Sequence, residues 1–309
     1  MVSHITHFLL YLSDFWEKWM KKVWCLILLI FSPLIVFNAW GQSRHALLIG
    51  IGKYPEDSGW NLIHGNNDIS IIRDALIRQG FSSENILQLI DSEATKENIL
   101  LSFDKLSERC QVGDVVYLHF SGHGQQITDL NGDEEDGFDE AWIPYDAKKV
   151  YASGVYEGEN HLIDDELNTY FTKLRVRVGA RGKIIIVADA CHSGSGSRGL
   201  PDDEVFVRGT GDKFIIPRQS SNVIKKPAPT EWLFVAACKS YQSNYEYRAP
   251  AGDYYGVLSY VIAEDSRHFD VCKYLDLLQE WSDSISGLSR YPQDLDNEGQ
   301  PSRKNSYMF

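Results

Sequence analysis

Two short runs carry the side chains best suited to chemistry: Ser121-Gly122-His123-Gly124 and Asp189-Ala190-Cys191-His192-Ser193-Gly194. A cysteine thiolate with an imidazole base is a nucleophile for acyl transfer. A lone cysteine at a strand end is by default inert core, but His192, Ser193 and Gly194 behind Cys191 are not core residues. The glycines flanking His123 allow close approach by a substrate and free the backbone N–H groups that an oxyanion hole needs. A thiolate phosphatase cradle is disfavoured, because the six residues between Cys191 and Arg198 are too many for it to close. Asp189 lies two residues before Cys191 and Ser121 two before His123, so on strands each pair shares a face. A carboxylate beside the nucleophile would hold a cation; strand-end capping is the competing reading of Asp189.

The elements that must position these groups are legible in the hydrophobic pattern. Val115 to Phe120 leads into the histidine run and Lys183 to Ala188 into the cysteine run. Both read as buried parallel strands, and open α/β sheets place ligands beyond the carboxyl ends of such strands. Arg44 to Ile51, Asn85 to Ile90 and Glu231 to Ala237 read as further strands. Helical periodicity marks Asn67 to Gln79, closed by Gly80, then Thr95 to Arg109, Leu162 to Leu174, Gly256 to Ala263 and Val271 to Ile285. This alternation predicts an α/β fold with a mostly parallel sheet covered on both faces. Residues 195–230, with scattered Pro and Ser, read as an exposed connector.

Composition narrows the partners. The 309 residues carry a net charge of −13 and no clustered basic face, which argues against nucleic acid. Lys21-Lys22, the apolar run Val23 to Phe37 broken only by Ser32-Pro33, and Ala39-Trp40-Gly41 have the form of a secretory signal peptide over residues 1–41. Met20 is an alternative start, and residues 42–309 are left as one domain. The expected location is secreted or periplasmic, with no stable membrane span once the signal is cleaved; an uncleaved anchor would want about 20 apolar residues. Cys110, Cys191, Cys238 and Cys272 remain after cleavage, too few for a disulfide scaffold.

Asp129 to Glu140 packs seven carboxylates into twelve residues. Their repulsion is relieved by a hard divalent cation with oxygen ligands, or the segment is simply a solvated acidic loop. Asp129, Asn131, Asp133 and Glu140 fall at EF-hand spacing, but Glu134 stands where that loop needs glycine, and strands rather than helices are expected on either side.

With these motifs in order, the chain resembles the metacaspases, relatives of the caspases. The resemblance rests on ALLIGIGKY, Asn67-Asp68, YLHFSGHG, GDEEDGFDEAWIPYDA, DACHSG and AACKSYQSNYE, from about Arg44 to the C-terminus. His123 and Cys191 lie 68 residues apart, against about 50 for caspases with their QACRG-type nucleophile sequence. The resemblance implies a caspase-like three-layer sandwich and a cysteine endopeptidase cutting after Arg or Lys, often with calcium. Carried over by position, Cys191 is the nucleophile, His123 the general base, and the N–H groups of Gly124 and Cys191 the oxyanion hole. Asp68, Ser121 and Asp189 line the pocket for the basic side chain. Asp139, Asp164 and Asp165 are implied calcium ligands, with Arg198 standing where the family often has a fourth aspartate and Asp202 or Asp203 nearby. Arg198, Arg208, Lys213, Arg218, Lys225 and Lys226 make the connector a candidate for self-cleavage. Two alternatives are a catalytically silent calcium-binding module on the same fold and a clostripain- or gingipain-like peptidase.

Overall fold

The computed structural model describes residues 42–192, 206–217, 232–239, 242–264 and 296–298, with positions 280 and 283. The signal segment, most of the expected helix Val271 to Ile285, Arg198 and Asp202-Asp203 lie outside the described residues. The described elements all belong to the unit Gln42–Phe309.

In chain order the elements are β1 (Arg44–Gly50), α1 (Gly65–Arg78), β2 (Ile86–Ile90), α2 (Lys96–Arg109) and β3 (Val115–Ser121). A small antiparallel sheet follows from β4 (Gly124–Thr128), β5 (Phe138–Trp142) and β6 (Leu162–Ile163), then α3 (Asp164–Val178) and β7 (Lys183–Asp189). The remaining elements are β8 (Leu233–Ala236), β9 (Glu246–Arg248), β10 (Tyr254–Gly256), α4 (Val257–Glu264) and β11 (Asp296–Glu298). The main sheet has the order β11-β8-β7-β3-β1-β2, parallel except for β11. Every residue of β3 is buried, as a central strand covered on both faces must be.

The two faces bury alternate residues of the same strands. Ala46, Leu48, Tyr117 and Val187 pack with Ile69, Ile72 and Leu76 of α1 and Leu258 and Val261 of α4. Leu47, Ile49, Leu118 and Ile186 pack on the other side with Ile99 and Phe103 of α2 and Phe171 and Leu174 of α3. This is a three-layer α/β sandwich.

Local chemistry sets the helix ends. The Thr95 hydroxyl accepts from the Asn98 N–H at 3.3 Å and opens α2. Gly80, at φ 85°, lets the chain leave α1. The expected helix from Leu162 starts two residues later, because Leu162 and Ile163 pair with β5 and the acids Asp164-Asp165-Glu166 then suit a helix N-terminus. The connector departs from expectation more sharply. Within it, Arg208 is 0% exposed and Phe214 1% exposed, because Phe214 bridges Ile127 of β4 and packs on Tyr156 and His161. Residues 206–217 are therefore not a uniformly exposed linker.

Candidate active site

Adjacent strands β3 and β7 run in register so that Ser121 pairs with Asp189. Both reactive runs consequently leave the sheet at one level, with Gly122 N–H bonded to the Asp189 carbonyl at 3.4 Å. A Cβ on Gly124 would lie 2.6 Å from the Cys191 carbonyl oxygen, so only glycine lets the histidine loop pass this close. Cys191 itself is fully buried, its Sγ against the Gln242 carbonyl.

His123 is held from three sides. Its ring stacks on Trp60 at 4.9 Å and lies 5.1 Å from Tyr54, and its backbone N–H donates to the Tyr54 hydroxyl at 3.0 Å. Nε2 lies 2.9 Å from the Asn61 carbonyl. A carbonyl only accepts, so this contact fixes the proton on Nε2 and leaves Nδ1 as the basic nitrogen. Nδ1 is buried with no hydrogen-bond partner among the described residues. Burial lowers the imidazole to about 4, against the pull of the Asn61 bond, so the base is neutral at pH 7.

The pocket beside the cysteine is occupied by the chain itself. Arg208 Nη1 donates to Asp68 Oδ2 at 2.6 Å and to the Ser121 hydroxyl, and lies 3.5 Å from Asp189 Oδ1. Nε and Nη2 meet Glu246 Oε1 at 3.0 and 2.9 Å. The Arg208 carbonyl accepts the Cys191 N–H at 2.7 Å, and the Arg208 N–H donates to the Asn244 carbonyl at 2.9 Å. Phe206, two residues earlier, accepts the Glu246 N–H at 3.1 Å, and Val207 bridges Tyr245 antiparallel. An extended segment thus adds as a strand, with one basic side chain in an acidic pocket and its carbonyl on the nucleophile's own N–H.

The three carboxylates do not share one electrostatic fate. Burial works to raise Asp189, but Arg208 and hydrogen bonds from Asn244 and Ser259 outweigh it and hold the group below the usual carboxylate range. Glu246 is likewise lowered, with Arg208 and His64 outweighing burial. Asp68 goes the other way, to about 7, because burial and the nearby Asp189 outweigh Arg208. Behind the pocket, Ser259 joins Asp189 to His119 and on to the Tyr117 hydroxyl.

The profile of the metacaspase peptidase C14 domain matches residues 44–197. The chain belongs to the metacaspases. Metacaspase-1 of Eremothecium gossypii is 38% identical over 160 residues, covering 50% of this chain and 32% of that protein. Metacaspase-1B of Aspergillus fumigatus is 34% identical over 167 residues, covering 52% and 37%. The chain spans about a third of the length of these relatives. A crystal structure of a Geobacter sulfurreducens protein shares the fold, with a TM-score of 0.56, 20% identity, and coverage of 85% of this chain and 97% of that one. The matching family model is that of a peptidase domain, and His123 and Cys191 both fall inside the matched segment.

The metacaspase residues expected around the reaction gather in one place: His123, Gly124 and Cys191 at the strand ends, with Asp68, Ser121 and Asp189 around the basic side chain. Asp68 reaches the site because α1 begins tight against β3; a Cβ on Gly65 would collide with the Ser121 carbonyl. Sequence reasoning gave no role to Asn244 and Glu246, although both close the family motif AACKSYQSNYE, and it missed Ser259 and, acting through its backbone, Asn61. A Cβ on Gly256 would come within 2.5 Å of Arg208 Nη1, so a glycine beside two tyrosines was a further signal for that wall of the pocket.

The acidic segment forms the β4–β5 hairpin. Ligand oxygens of Asp129, Asp133 and Asp139 lie within 4.8 Å of one another, and those of Glu134, Glu140 and Asp164 form an adjoining group. Asp165 bonds instead to the Asn131 amide. The expected trio of Asp139, Asp164 and Asp165 is thus gathered into one acidic patch but divided among three sets of partners. Asp139 is raised to about 8 by burial and by Asp164, Asp129, Asp165 and Asp133. Both carboxylate oxygens of Asp133 and one of Asp139 are buried without a hydrogen-bond partner among the described residues. Orphaned, mutually repelling carboxylate oxygens suit a hard divalent cation.

Proposed function

We propose that this chain is a cysteine endopeptidase that cuts after Arg or Lys, is stimulated by calcium, and is made as a zymogen that processes its own connector. It acts in the secreted or periplasmic space after loss of residues 1–41. The observation that carries the reading is Arg208, whose guanidinium meets Asp68, Asp189 and Glu246 while its carbonyl rests on the Cys191 N–H. A pocket of carboxylates selects a cation, and a guanidinium can reach Asp68 and Ser121 through Nη1 and Glu246 through Nε at once.

In the reaction, the Cys191 thiol passes its proton to His123 Nδ1 and the sulfur attacks the carbonyl carbon of the basic residue. The Cys191 N–H stabilises the oxyanion, with the N–H of Gly124 as its expected partner. The peptide C–N bond breaks, the departing amine takes the proton from His123, and water hydrolyses the thioester to restore the thiol. The Asn61 carbonyl keeps the imidazole in the required tautomer throughout and stabilises it when charged. Asp129, Asp133 and Asp139 would hold calcium, which would neutralise the hairpin; Asp164 and Asp165 add negative charge around it. In self-processing, the bond cut is Arg208–Gly209. Gly209 fits there because a side chain would overlap the Cys191 carbonyl.

The test is hydrolysis of fluorogenic peptides ending in Arg, Lys or Asp by the full chain, in calcium or chelator, beside Cys191→Ala. Calcium-stimulated cleavage after Arg and Lys, lost in the variant together with a fragment ending at Arg208, is the expected result. Cleavage after Asp, or none by the wild-type and Arg208→Ala chains alike, overturns the reading.

A further inference from the structure

Arg208 does not enter the site alone. Phe206 lies two residues earlier on the same face of the extended segment, and its ring meets His64 edge-on at 4.5 Å and Tyr254 at 4.9 Å. His64 and Tyr254 stack on each other at 5.0 Å with 21° between their planes. Together the stacked pair forms an aromatic clamp beside the acidic pocket, and Phe206 packs at a steep angle against one side of both rings. The clamp is anchored from outside the segment it grips. His64 Nδ1 lies 2.6 Å from Glu246 Oε2 and its backbone N–H donates to Glu246 Oε1 at 2.7 Å. The Tyr254 carbonyl accepts from the Asn67 amide at 3.0 Å.

We infer that this clamp is a specificity subsite, and that the enzyme prefers extended peptides with an aromatic residue two positions before the basic residue at which it cuts. The inference rests on the peptidase reading above and names the substrate class of that same site. Phe206-Val207-Arg208 is the chain's own example of such a sequence. Edge-to-face packing against two rings suits Phe, Tyr or Trp over an aliphatic side chain. Strand addition to Asn244–Glu246 supplies sequence-independent affinity, and alternate side chains supply the selection. Glu246 couples the two subsites, since Oε1 accepts from both the basic side chain and the His64 N–H while Oε2 meets the His64 ring. The intervening residue, Val207, points away from both.

The experiment compares peptides of the form X-Phe-Val-Arg and X-Ala-Val-Arg with a fluorogenic leaving group, hydrolysed by the full chain and by the double variant Phe206→Ala/Arg208→Ala, which empties both the aromatic subsite and the acidic pocket of the chain's own side chains. Phe is expected to be favoured about tenfold in kcat/KM, mostly through KM. In His64→Ala and Tyr254→Ala the ratio falls below about threefold, while Arg remains preferred over Asp at the cleaved residue. Tyr254→Phe keeps the ring and restores the ratio, which a merely structural role for Tyr254 would not explain. Equal cleavage of the two peptides, or a ratio untouched by loss of either ring, overturns the subsite and leaves the peptidase reading standing. Cleavage of neither peptide by either chain overturns both.

Discussion

In the pocket beside Cys191, Asp68, Asp189 and Glu246 converge on a guanidinium that the chain supplies. In the β4–β5 hairpin, Asp129, Asp133 and Asp139 converge with no such partner among the described residues. Both clusters are withdrawn from water, yet two pocket carboxylates are held below their ordinary range while Asp139 is pushed up to about 8 and Glu140 to about 7. A run of acids therefore has no fixed meaning in a sequence. What matters is whether the fold delivers a cation to it. In the pocket Asp189 and Glu246 are charged and satisfied, with only Asp68 raised; the hairpin stays partly protonated until something positive arrives from solution.

Removing one carboxylate from each cluster should give effects of opposite sign. Asp189→Ala strips Arg208, Asn244 and Ser259 of a shared partner, and loss of one member of a buried ion pair costs about 3–5 kcal/mol. Denaturant unfolding should register this as a large fall in midpoint. Asp139→Asn removes a repelled charge, so in chelator it should stabilise the chain, on the order of 1 kcal/mol, and abolish any calcium-induced rise in Tm. A fall in Tm in chelator would mean that the Asp139 carboxylate is held by a favourable contact, as the pocket acids are, and the contrast between the clusters would fail.

The smallest effect is the pH dependence. An acid raised in the folded state binds its proton more tightly there than in the unfolded chain, so Asp139 and Glu140, with Asp68 in the pocket, make stability fall as pH rises from about 4 to about 8. Asp189 and Glu246 are lowered in the folded state, so their contribution is present at neutral pH and is lost only as pH falls through their folded values. Tm measured from pH 4 to 8 in chelator should thus decline on the alkaline side in the wild type, and less in Asp139→Asn, with the difference largest between about pH 7 and 8. An equal decline in both would separate the hairpin from the effect.

The parallel strands were plain in the sequence because continuous apolar runs with glycine exits have few other uses. His123 and Cys191 followed from them, since register fixes where strand ends meet. Asp68 came only with the family resemblance: nothing in the helix pattern says that its first turn abuts β3. Glu246 was harder still. It sits 57 residues past Asp189, in a short strand with no strong periodicity, and enters the pocket through tertiary packing alone. The connector differs for the opposite reason. Its polar composition describes a segment at home in water, yet among its described residues Arg208, Thr210 and Phe214 are buried.

The carbonyl that orients His123 belongs to the main chain at Asn61, and the genetic code cannot reach it. Every amino acid placed at position 61 presents the same oxygen. A library screened for silent variants should return changes at 123 and 191 in abundance and few at 61, where only substitutions that bend the backbone would count. One member of the catalytic group is thereby sheltered from point mutation, and an inventory drawn from which side chains matter would leave it out.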